Sequence, residues 1–566
     1  MDAEDLFRKL SNGAKFDLKK FQYDAQKLQV IKPRPVVGPF PIQINSQNEI
    51  RKEKVDHEEE ISELKLISSI TADGNKKKQL SNKDIKNKEA ALNQEKINRF
   101  RNQQKISVRG NDLPPPIENF EQLVTEYGVG QDIIDNLKNL GYSVPTPIQM
   151  QAIPVMLKNQ QILACAPTGS GKTAAFLVPI IHHLKGPRRK GFRAVVVSPT
   201  RELAKQTYRE CLKLSEGRNL RIHIISKASI AMKKFGPESS KRFDILITTP
   251  NRLVYLLQQD PPVISLANVK WLVIDESDKL FEASEDGFRD QLAVIYRACE
   301  SENVRRALFS ATHTPDVARW AHKNLKGLVS VTVGHRNTAA DIVEQQLLFV
   351  GTEAGKLVAF RDIVRKGLTP PVLVFVQTKE RAKELFNELL YDGINVDVIH
   401  ADRTQLQRDN VVQSFRRGDI WVLICTELMG RGIDFKGVNL VINYDFPPSV
   451  ISYIHRIGRT GRAGNPGKAI TFFTENDTVN LRSIAQMVKD SGCEVPEYLL
   501  KLKKSSKRDR RKLEKKAPKR DRISTVPLCD IKKQKKLQQK IQATKRKKEK
   551  GNEDGPQASK KKKQKP

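Results

Sequence analysis

Short runs of β-branched and other apolar residues recur along the middle of the chain, and amphipathic segments of helix length separate them. Such runs are typical of strands buried on both faces of a parallel sheet that is covered by helices. They form two series, which read ILACA, AVVVSP, DILITTP, WLVIDE and RALFSAT before Gly334, then VLVFVQ, VDVIHA, WVLICT, LVINYD and KAITFF after it. The pattern predicts an α/β fold with two tandem domains, each a parallel sheet flanked by helices.

Composition divides the chain into five parts. Residues 1–109 are polar, mixed in charge and poor in apolar periodicity, so we expect a partly disordered extension. Residues 110–334 and 346–500 contain the two strand series, and the polar stretch 335–345 is the expected linker. Residues 501–566 hold 28 Lys and Arg against 7 Asp and Glu, which predicts a basic, disordered tail.

Charge narrows the class of partner. The net charge of +35 over 566 residues favours a polyanion over a small neutral metabolite. The six cysteines are scattered without metal-site or disulfide spacing, which indicates reduced thiols in an intracellular protein. Because no run of about 18 apolar residues and no signal-peptide pattern occurs, we expect neither a membrane span nor secretion.

A glycine-rich turn follows the first strand of the first series, in ILACAPTGSGKTAAFLVPII. Backbone N–H groups of Gly169, Ser170 and Gly171 at a helix start can hold phosphate groups. Lys172 can neutralise those phosphates, and Thr173 can ligate Mg²⁺. The alternative, a glycine-rich turn without a ligand, does not require Lys-Thr after the last glycine, so we predict a nucleotide site.

Two adjacent carboxylates, Asp275 and Glu276, follow the apolar run WLVI. Carboxylates at the end of a buried strand are costly unless something uses them. In a phosphate-loop enzyme, Asp275 would hold Mg²⁺ and Glu276 would orient the attacking water. An exposed acidic turn is the alternative, and it fits poorly after a buried strand.

Three arginines lie in HRIGRTGR (455–462), in the second series. A guanidinium on a loop can stabilise charge on a transferred phosphoryl group, so these arginines are candidate fingers reaching the first domain. The alternative is a basic loop that binds a backbone phosphate. PTRELA (199–204) and TPNRL (249–253) each offer a hydroxyl, an arginine and a helix start, which suit contacts to a nucleic-acid backbone. Alone, each is more often an ordinary helix cap or turn.

Taken together, these motifs resemble those of the DEAD-box ATP-dependent RNA helicases over residues 115–500. The tetrapeptide that names the family reads DESD here, with Ser277 in place of alanine. The resemblance implies two recA-like domains, the first of them ATP-binding, in a monomeric, RNA-dependent ATPase that uses ATP and Mg²⁺. In GYSVPTPIQ, Tyr142 would stack on adenine and Gln149 would bind its edge.

The resemblance also implies roles for individual positions. Nucleotide contacts correspond to Tyr142, Thr146, Gln149, Thr168, Gly169, Ser170, Gly171, Lys172, Thr173, Gly432 and Asp434. Catalytic groups correspond to Lys172, Asp275, Glu276, Arg459 and Arg462, and Mg²⁺ ligands to Thr173 and Asp275. Coupling of hydrolysis to strand separation corresponds to Ser310, Thr312 and His455. RNA contacts correspond to Pro199, Thr200, Arg201, Thr249, Pro250, Arg252, Gln405, Arg408 and Thr426.

The chain departs from the family pattern at a few places. The usual Gly-Gly pair reads SKAS (226–229), TPGRL reads TPNRL, and Glu427 stands where Asp is usual after Thr426. Loss of the glycines removes backbone freedom near the RNA path. None of these changes removes a group needed for ATP chemistry, so we expect activity to be kept.

DESDKLFE, INYDFP and the lysine-rich tail resemble the nucleolar Rok-type branch of the family. That likeness implies a place in the nucleus and nucleolus, with pre-ribosomal RNA, small nucleolar RNA complexes and ribosome-assembly proteins as partners. We expect ATP and RNA to close the two domains and separate strands locally. The alternatives are an ATP-gated RNA clamp or scaffold and, more weakly, a DNA helicase. The tail would tether RNA and direct nuclear targeting, unless it is only a solvated extension.

Overall fold

Two α/β domains, each built on one sheet, confirm the predicted fold class. All ten predicted strands are present. The computed structural model describes residues 82–225, 230–232, 242–282, 288–334, 343–427, 435, 437–462, 465–515, 518–525 and a few positions between 533 and 541.

The first sheet has eight strands. They are β1 Ile106–Arg109, β2 Ile162–Cys165, β3 Ala194–Val197, β4 Ile222–Ile224, β5 Ile245–Thr248, β6 Trp271–Ile274, β7 Arg305–Ser310 and β8 Val329–Val333. Their order is β1-β8-β2-β7-β6-β3-β5-β4. β1 runs antiparallel to β8, and the other neighbours are parallel. The sheet therefore carries its phosphate loop and acidic motif at the same edge, where its central parallel strands end.

The second sheet has six strands, all parallel to their neighbours. They are β9 Val343–Phe349, β10 Val372–Val376, β11 Val396–Ile399, β12 Val422–Thr426, β13 Leu440–Asn443 and β14 Gly467–Phe473. Their order is β11-β12-β10-β13-β14-β9. The central strand VLVFV is buried at all five positions, as expected for a strand covered by helices on both faces.

Helices cover both sheets. In the first domain they are α1 Asn82–Gln103, α2 Glu121–Tyr127, α3 Gln131–Asn139, α4 Pro147–Leu157, α5 Lys172–Leu184, α6 Arg201–Leu214, α7 Pro250–Leu257, α8 Ser277–Leu280, α9 Arg289–Ala298 and α10 Pro315–Asn324. In the second they are α11 Glu353–Arg365, α12 Lys379–Tyr391, α13 Gln405–Arg417, α14 Val450–Ile457, α15 Thr478–Asp490, α16 Glu497–Lys501 and α17 Lys507–Lys515, with a 3₁₀ turn at Glu475–Asp477. Among the described residues, no helix is both long and apolar enough to cross a membrane.

The expected boundary of the polar extension at residue 109 is wrong, because residues 82–109 include α1 and the edge strand β1. The Arg101 guanidinium is buried and donates to Oε1 of Gln151 and to the carbonyl oxygen of Pro114, each at 2.9 Å. Composition missed this part because α1 is mostly exposed and an edge strand needs no continuous apolar run. The second domain likewise begins earlier than expected, since β9 starts at Val343, inside the predicted linker.

The expected start of a disordered tail at residue 501 is also wrong. After α17, residues 518–525 pack against the second domain, and we call this segment the C-terminal strap. Ile523 joins the apolar core of that domain. The Arg520 side chain is 4% exposed and pairs with Glu353 and Asp477. The second domain therefore includes residues as far as Thr525.

Candidate active site

The phosphate loop connects β2 to α5. Gly169 and Gly171 have φ values of +78° and +83°, which glycine adopts without the steric cost of a Cβ atom. The Lys172 side chain is buried, and its Nζ donates to the carbonyl oxygens of Ala166 and Pro167, each at 2.9 Å. The lysine is thus held at the base of the loop.

The adenine-motif residues Thr146 and Gln149 brace this loop. The Thr146 hydroxyl donates to the carbonyl oxygen of Ser170 at 2.7 Å. Oε1 of Gln149 accepts from the Thr146 N–H at 3.0 Å, and its Nε2 donates to the carbonyl oxygen of Gly171 at 3.1 Å. Tyr142 lies beside the loop, with its hydroxyl 3.0 Å from Oε1 of Glu210. The buried Gln149 amide thus holds the loop, and its contact with the edge of adenine stays a prediction.

Asp275 and Glu276 leave β6 as a buried pair. Oδ1 of Asp275 accepts from the Glu276 N–H at 2.9 Å. Glu276 has a φ of +49°, an unfavourable value for a residue with a Cβ atom, as is found at functional turns. Burial and then the charge of Glu276 raise the pKa of Asp275 to about 7. Burial also lowers the pKa of Lys172, and Glu276 and Asp275 oppose that shift.

Two adjacent buried carboxylates, one of which raises the pKa of the other, suit a bound cation because its positive charge would offset theirs. Oε2 of Glu276 is buried and has no hydrogen-bond partner among the described residues. Asp275 and Thr173 line the same cavity, and they offer the oxygen ligands that Mg²⁺ prefers. The residues present therefore fit a Mg²⁺ ion held by Thr173 and Asp275, which would neutralise phosphate oxygens.

A second-domain histidine reaches this acidic turn. Nε2 of His455 lies 2.5 Å from Oδ2 of Asp278, and its Nδ1 lies 3.8 Å from Oε2 of Glu276. The same Asp278 oxygen accepts from the Thr312 hydroxyl at 2.5 Å. The Ser310 hydroxyl donates to the carbonyl oxygen of Thr312 at 2.9 Å. One carboxylate thus joins the SAT segment (residues 310–312) of the first domain to α14 of the second.

Both predicted finger arginines face the phosphate loop. Nε of Arg459 donates to the carbonyl oxygen of His455 at 3.1 Å, and Nε of Arg462 donates to that of Gly458 at 2.9 Å. The Thr168 hydroxyl crosses from the loop to the same Gly458 oxygen at 2.8 Å. These groups enclose a cavity of about 450 Å³ whose lining includes Tyr142, Thr146, Thr168, Gly169, Gly171, Lys172, Thr173, Asp275, Glu276, Arg459 and Arg462. Both domains therefore contribute charge to one site.

The predicted RNA residues lie on neighbouring loops. Thr200 and Thr249 occupy the cap positions before α6 and α7, and Pro199 and Pro250 flank them. The Thr200 hydroxyl accepts from the Leu203 N–H at 3.3 Å. A cleft of about 220 Å³ brings Arg201, Thr249 and Arg252 together with Gln405 of the second domain.

Within that cleft, Arg252 is partly buried, and its Nη1 donates to the carbonyl oxygen of Ile225 at 2.5 Å. Burial and then the charge of Arg201 lower the pKa of Arg252 to about 10. The carbonyl oxygen of Ile225 thus fixes the orientation of the Arg252 guanidinium.

Glu202 holds the predicted RNA pair Gln405 and Arg408. Its Oε1 lies 2.8 Å from Nη1 of Arg408 and 3.1 Å from Nε2 of Gln405. Nearby, Nζ of Lys205 lies 2.5 Å from Oδ2 of Asp409. In this structure the pair therefore bridges α6 and α13, a domain contact that the sequence did not predict.

The comparisons with known proteins agree with this geometry. Residues 146–320 match the DEAD/DEAH box helicase family, and residues 355–464 match the helicase conserved C-terminal domain. "Probable ATP-dependent RNA helicase DDX52" of Bos taurus is 54% identical over 591 residues, which cover 97% of this chain and 99% of that protein. This chain belongs to the DEAD-box family of ATP-dependent RNA helicases.

Further relatives of the helicase span a similar length. "ATP-dependent RNA helicase ROK1" of Saccharomyces cerevisiae (strain S288c) is 39% identical over 551 residues, which cover 93% of this chain and 95% of that protein. These matches bear out the predicted Rok-type branch. The structure of S. cerevisiae Dbp5 bound to RNA and ADP BeF3 is 26% identical, with a TM-score of 0.58, and covers 67% of this chain and 99% of that one.

Some functional positions of the helicase lie outside this account. Gly432, Asp434 and the SKAS departure (226–229) fall outside the described residues. Thr426 ends β12 and is half-buried. The departing Glu427 accepts from Nη2 of Arg456 at 3.1 Å, so the longer carboxylate keeps an arginine partner.

Asp278 is the residue that sequence reasoning missed. It is the last letter of DESD, and only Asp275 and Glu276 of that motif were given roles. The available signal was the DESD motif itself, which places Asp278 two residues after Glu276, in the short helix that begins at Ser277. Its contact with His455, 177 positions away, has no signature in a single sequence.

Proposed function

We propose that this helicase hydrolyses ATP at a site completed by both domains, and that domain closure separates short RNA duplexes. The observation that carries the proposal is the single cavity in which the phosphate loop and acidic pair of one domain meet two arginines of the other. Because neither domain holds all of these charges, hydrolysis depends on closure.

Each first-domain group has a defined role. Glycine backbone N–H groups and Lys172 bind the phosphates of ATP at the start of α5. Thr173 and Asp275 would hold Mg²⁺, which would supply positive charge to neutralise phosphate oxygens. Glu276 orients the attacking water and accepts its proton, and its Oε2, which has no hydrogen-bond partner among the described residues, is the oxygen suited to this role.

The second domain completes the catalytic site and is coupled to it. Arg459 and Arg462 stabilise the charge that develops on the transferred phosphoryl group. His455 and Thr312 share the Asp278 carboxylate. Because α14 ends at Ile457, just before the loop that carries the fingers, a change at the acidic turn reaches both the SAT segment and that loop, which links hydrolysis to reopening.

RNA is held by its backbone in this proposal. Thr200, Arg201, Thr249 and Arg252 offer hydroxyl and guanidinium groups beside the domain boundary, and such groups contact phosphates rather than base edges. Gln405 and Arg408 join the RNA site by exchanging part of their contact with Glu202 for phosphate oxygens. Adenine recognition falls to Tyr142, which stacks on the base, and to Gln149, which binds the edge of the base and also braces the loop.

We also propose that the protein acts in pre-ribosomal RNA processing and small-subunit assembly in the nucleolus. Its likeness to relatives named ROK1, its Rok-type motifs and its basic tail support this role. Small nucleolar RNA complexes and assembly proteins are the expected partners. If the Glu276→Gln variant is expressed in cells, it should stay on pre-ribosomal particles and cause unprocessed pre-rRNA to accumulate. An even distribution over cytoplasmic RNA would contradict this.

The enzymatic proposal is tested by steady-state ATP hydrolysis of the purified chain with structured RNA, with DNA of matched sequence and with no nucleic acid. Stimulation by RNA and not by DNA is expected, because the 2′-hydroxyl distinguishes the two. ATP-dependent RNA binding without turnover would instead favour the clamp or scaffold alternative. Equal stimulation by DNA would favour a DNA helicase.

A further inference from the structure

The strands of the first sheet begin on the side opposite the ATP site, and this side carries a cluster of positive charge. The first residues of β3, β5 and β6 lie in register, with Ala194 paired to both Ile245 and Trp271. The loop before β3 contains Lys185, Arg188, Arg189 and Lys190, and Lys270 immediately precedes β6. We call these five side chains the amino-edge basic surface.

Hydrogen bonds hold these loops together. Nδ2 of Asn268 donates to the carbonyl oxygen of Lys190 at 2.7 Å, and Nη2 of Arg221 donates to that of Arg188 at 3.0 Å. The Arg188 N–H donates to Oδ1 of Asp244 at 2.9 Å. The loops that carry the cations are therefore fixed to one another by hydrogen bonds.

The five side chains are exposed, and their charge is not neutralised locally. None of the ion pairs in the described part of the chain involves them. The buried carboxylate beneath them, Asp244, already pairs with Arg193 at 2.7 Å and Arg221 at 3.1 Å. Among the described residues of the loops before β6 and β7, the acidic side chains are Asp260, Glu300 and Glu302, and none of them forms an ion pair with the five cations.

The chemistry of the surface favours nucleic acid over protein. Protein interfaces have apolar or aromatic residues at their centre. None of the large exposed apolar side chains in the described residues lies in the loops before β3 or β6. Lysine and arginine side chains without an apolar anchor instead suit phosphate oxygens, which they bind independently of sequence.

The surface is separate from the RNA path proposed above. That path lies where the parallel strands end, whereas these cations lie where they begin. A four-residue strand such as β3 separates the two ends of the sheet by about 13 Å, at about 3.3 Å per residue. We propose that the amino-edge basic surface binds the phosphate backbone of a second, flanking segment of the same structured RNA. This inference rests on the proposed RNA substrate.

The test uses the full-length chain carrying Arg188→Gln, Arg189→Gln, Lys190→Gln and Lys270→Gln together. A matched control carries four substitutions that remove the same charge from exposed positions of the second domain, at Arg365, Lys366, Lys383 and Lys489, each to Gln. Each protein is titrated from 50 to 200 mM salt with a short single-stranded RNA that fills the domain cleft and with a long structured RNA.

With long RNA, the wild-type and control affinities should fall about 100-fold more over this salt range than the affinity of the four-site variant. That figure follows from four lost phosphate contacts at a slope of about 0.9 each. With short RNA, all three proteins should bind alike and show the same RNA-stimulated ATPase.

Two results would overturn the inference. If the control loses long-RNA affinity as the four-site variant does, only net charge matters. If the four-site variant binds long RNA as the wild type does, the surface does not contact RNA. Absence of RNA-stimulated ATPase in the wild type with short RNA would instead refute the proposed function, so the two failures are distinguishable.

Discussion

The contacts of Arg520 make it possible to test whether the C-terminal strap is part of the second domain. Its side chain donates to Oε1 of Glu353 and Oδ1 of Asp477, each at 2.6 Å, and to Oε1 of Gln377 at 2.8 Å. Burial lowers the pKa of Arg520, but the charges of Asp445 and Asp477 outweigh burial and raise it. The guanidinium is therefore charged and fully paired.

The charged cluster around Arg520 determines how far its loss should lower the free energy of unfolding. It contains three cations, Lys356, Arg381 and Arg520, and three carboxylates, Glu353, Asp445 and Asp477. Removing one member of a buried ion pair costs about 3–5 kcal/mol, since the partner charge stays buried. Glu353 and Asp445 keep their contacts with Lys356 and Arg381 when Arg520 is lost. We therefore expect Arg520→Ala to cost about 3 kcal/mol, at the low end of that range.

Thermal unfolding measures this cost. For a domain of 150–250 residues, about 3 kcal/mol lowers Tm by about 6–12 °C. Lys519→Ala is the matched control, because it removes the same charge from an exposed neighbour. A chain ending after Thr525 should melt like the wild type, and one ending after Lys501 should melt like Arg520→Ala or lower. If Arg520→Ala and Lys519→Ala melt within about 1 °C of each other, the strap does not stabilise the domain.

Other contacts predict further outcomes. Lys172→Ala should weaken ATP binding measured by calorimetry, and unchanged affinity would remove the lysine from the phosphate site. Arg459→Ala should keep ATP binding but lower hydrolysis about 10³-fold, a prediction that wild-type turnover would contradict. Asp278→Ala leaves two buried polar partners unsatisfied, at about 1–3 kcal/mol each, so RNA-dependent ATPase should fall at least about tenfold. Burial raises the pKa of Asp445, but the charge of Lys356 and neighbouring arginines lower it on balance. The unfolded chain then binds more protons, so unfolding free energy should be level above about pH 5 and fall as pH drops below about 4. A flat stability profile down to pH 3 would contradict it.

The core strands could be predicted because burial on both faces leaves a continuous apolar run, as in the strand VLVFV. Edge strands lack that signature. β9 alternates between buried and exposed side chains and was assigned in part to a polar linker. β1 was assigned to an extension, although its pairing with β8 fixes it in the sheet.

The site was predictable only where one motif carries its own chemistry. GSGKT and the Asp275-Glu276 pair predict a phosphate site from local residue types. The Asp278 link to His455 and the Glu202 link to Arg408 depend on two domains meeting, which no local pattern encodes. In the tail, the average composition concealed Arg520 and Ile523, because two residues that find buried partners do not change a lysine-rich count.

RNA binding by the Glu276→Gln variant, with and without ATP, tests the central claim most directly. Removing the carboxylate that orients water should lower hydrolysis about 10²–10⁴-fold while leaving the phosphate loop and both arginines in place. Labelled RNA should then bind much more tightly with ATP than without it, and dissociate slowly. Wild-type hydrolysis by this variant, or RNA affinity that is the same with and without ATP, would contradict a site that ATP and RNA close together.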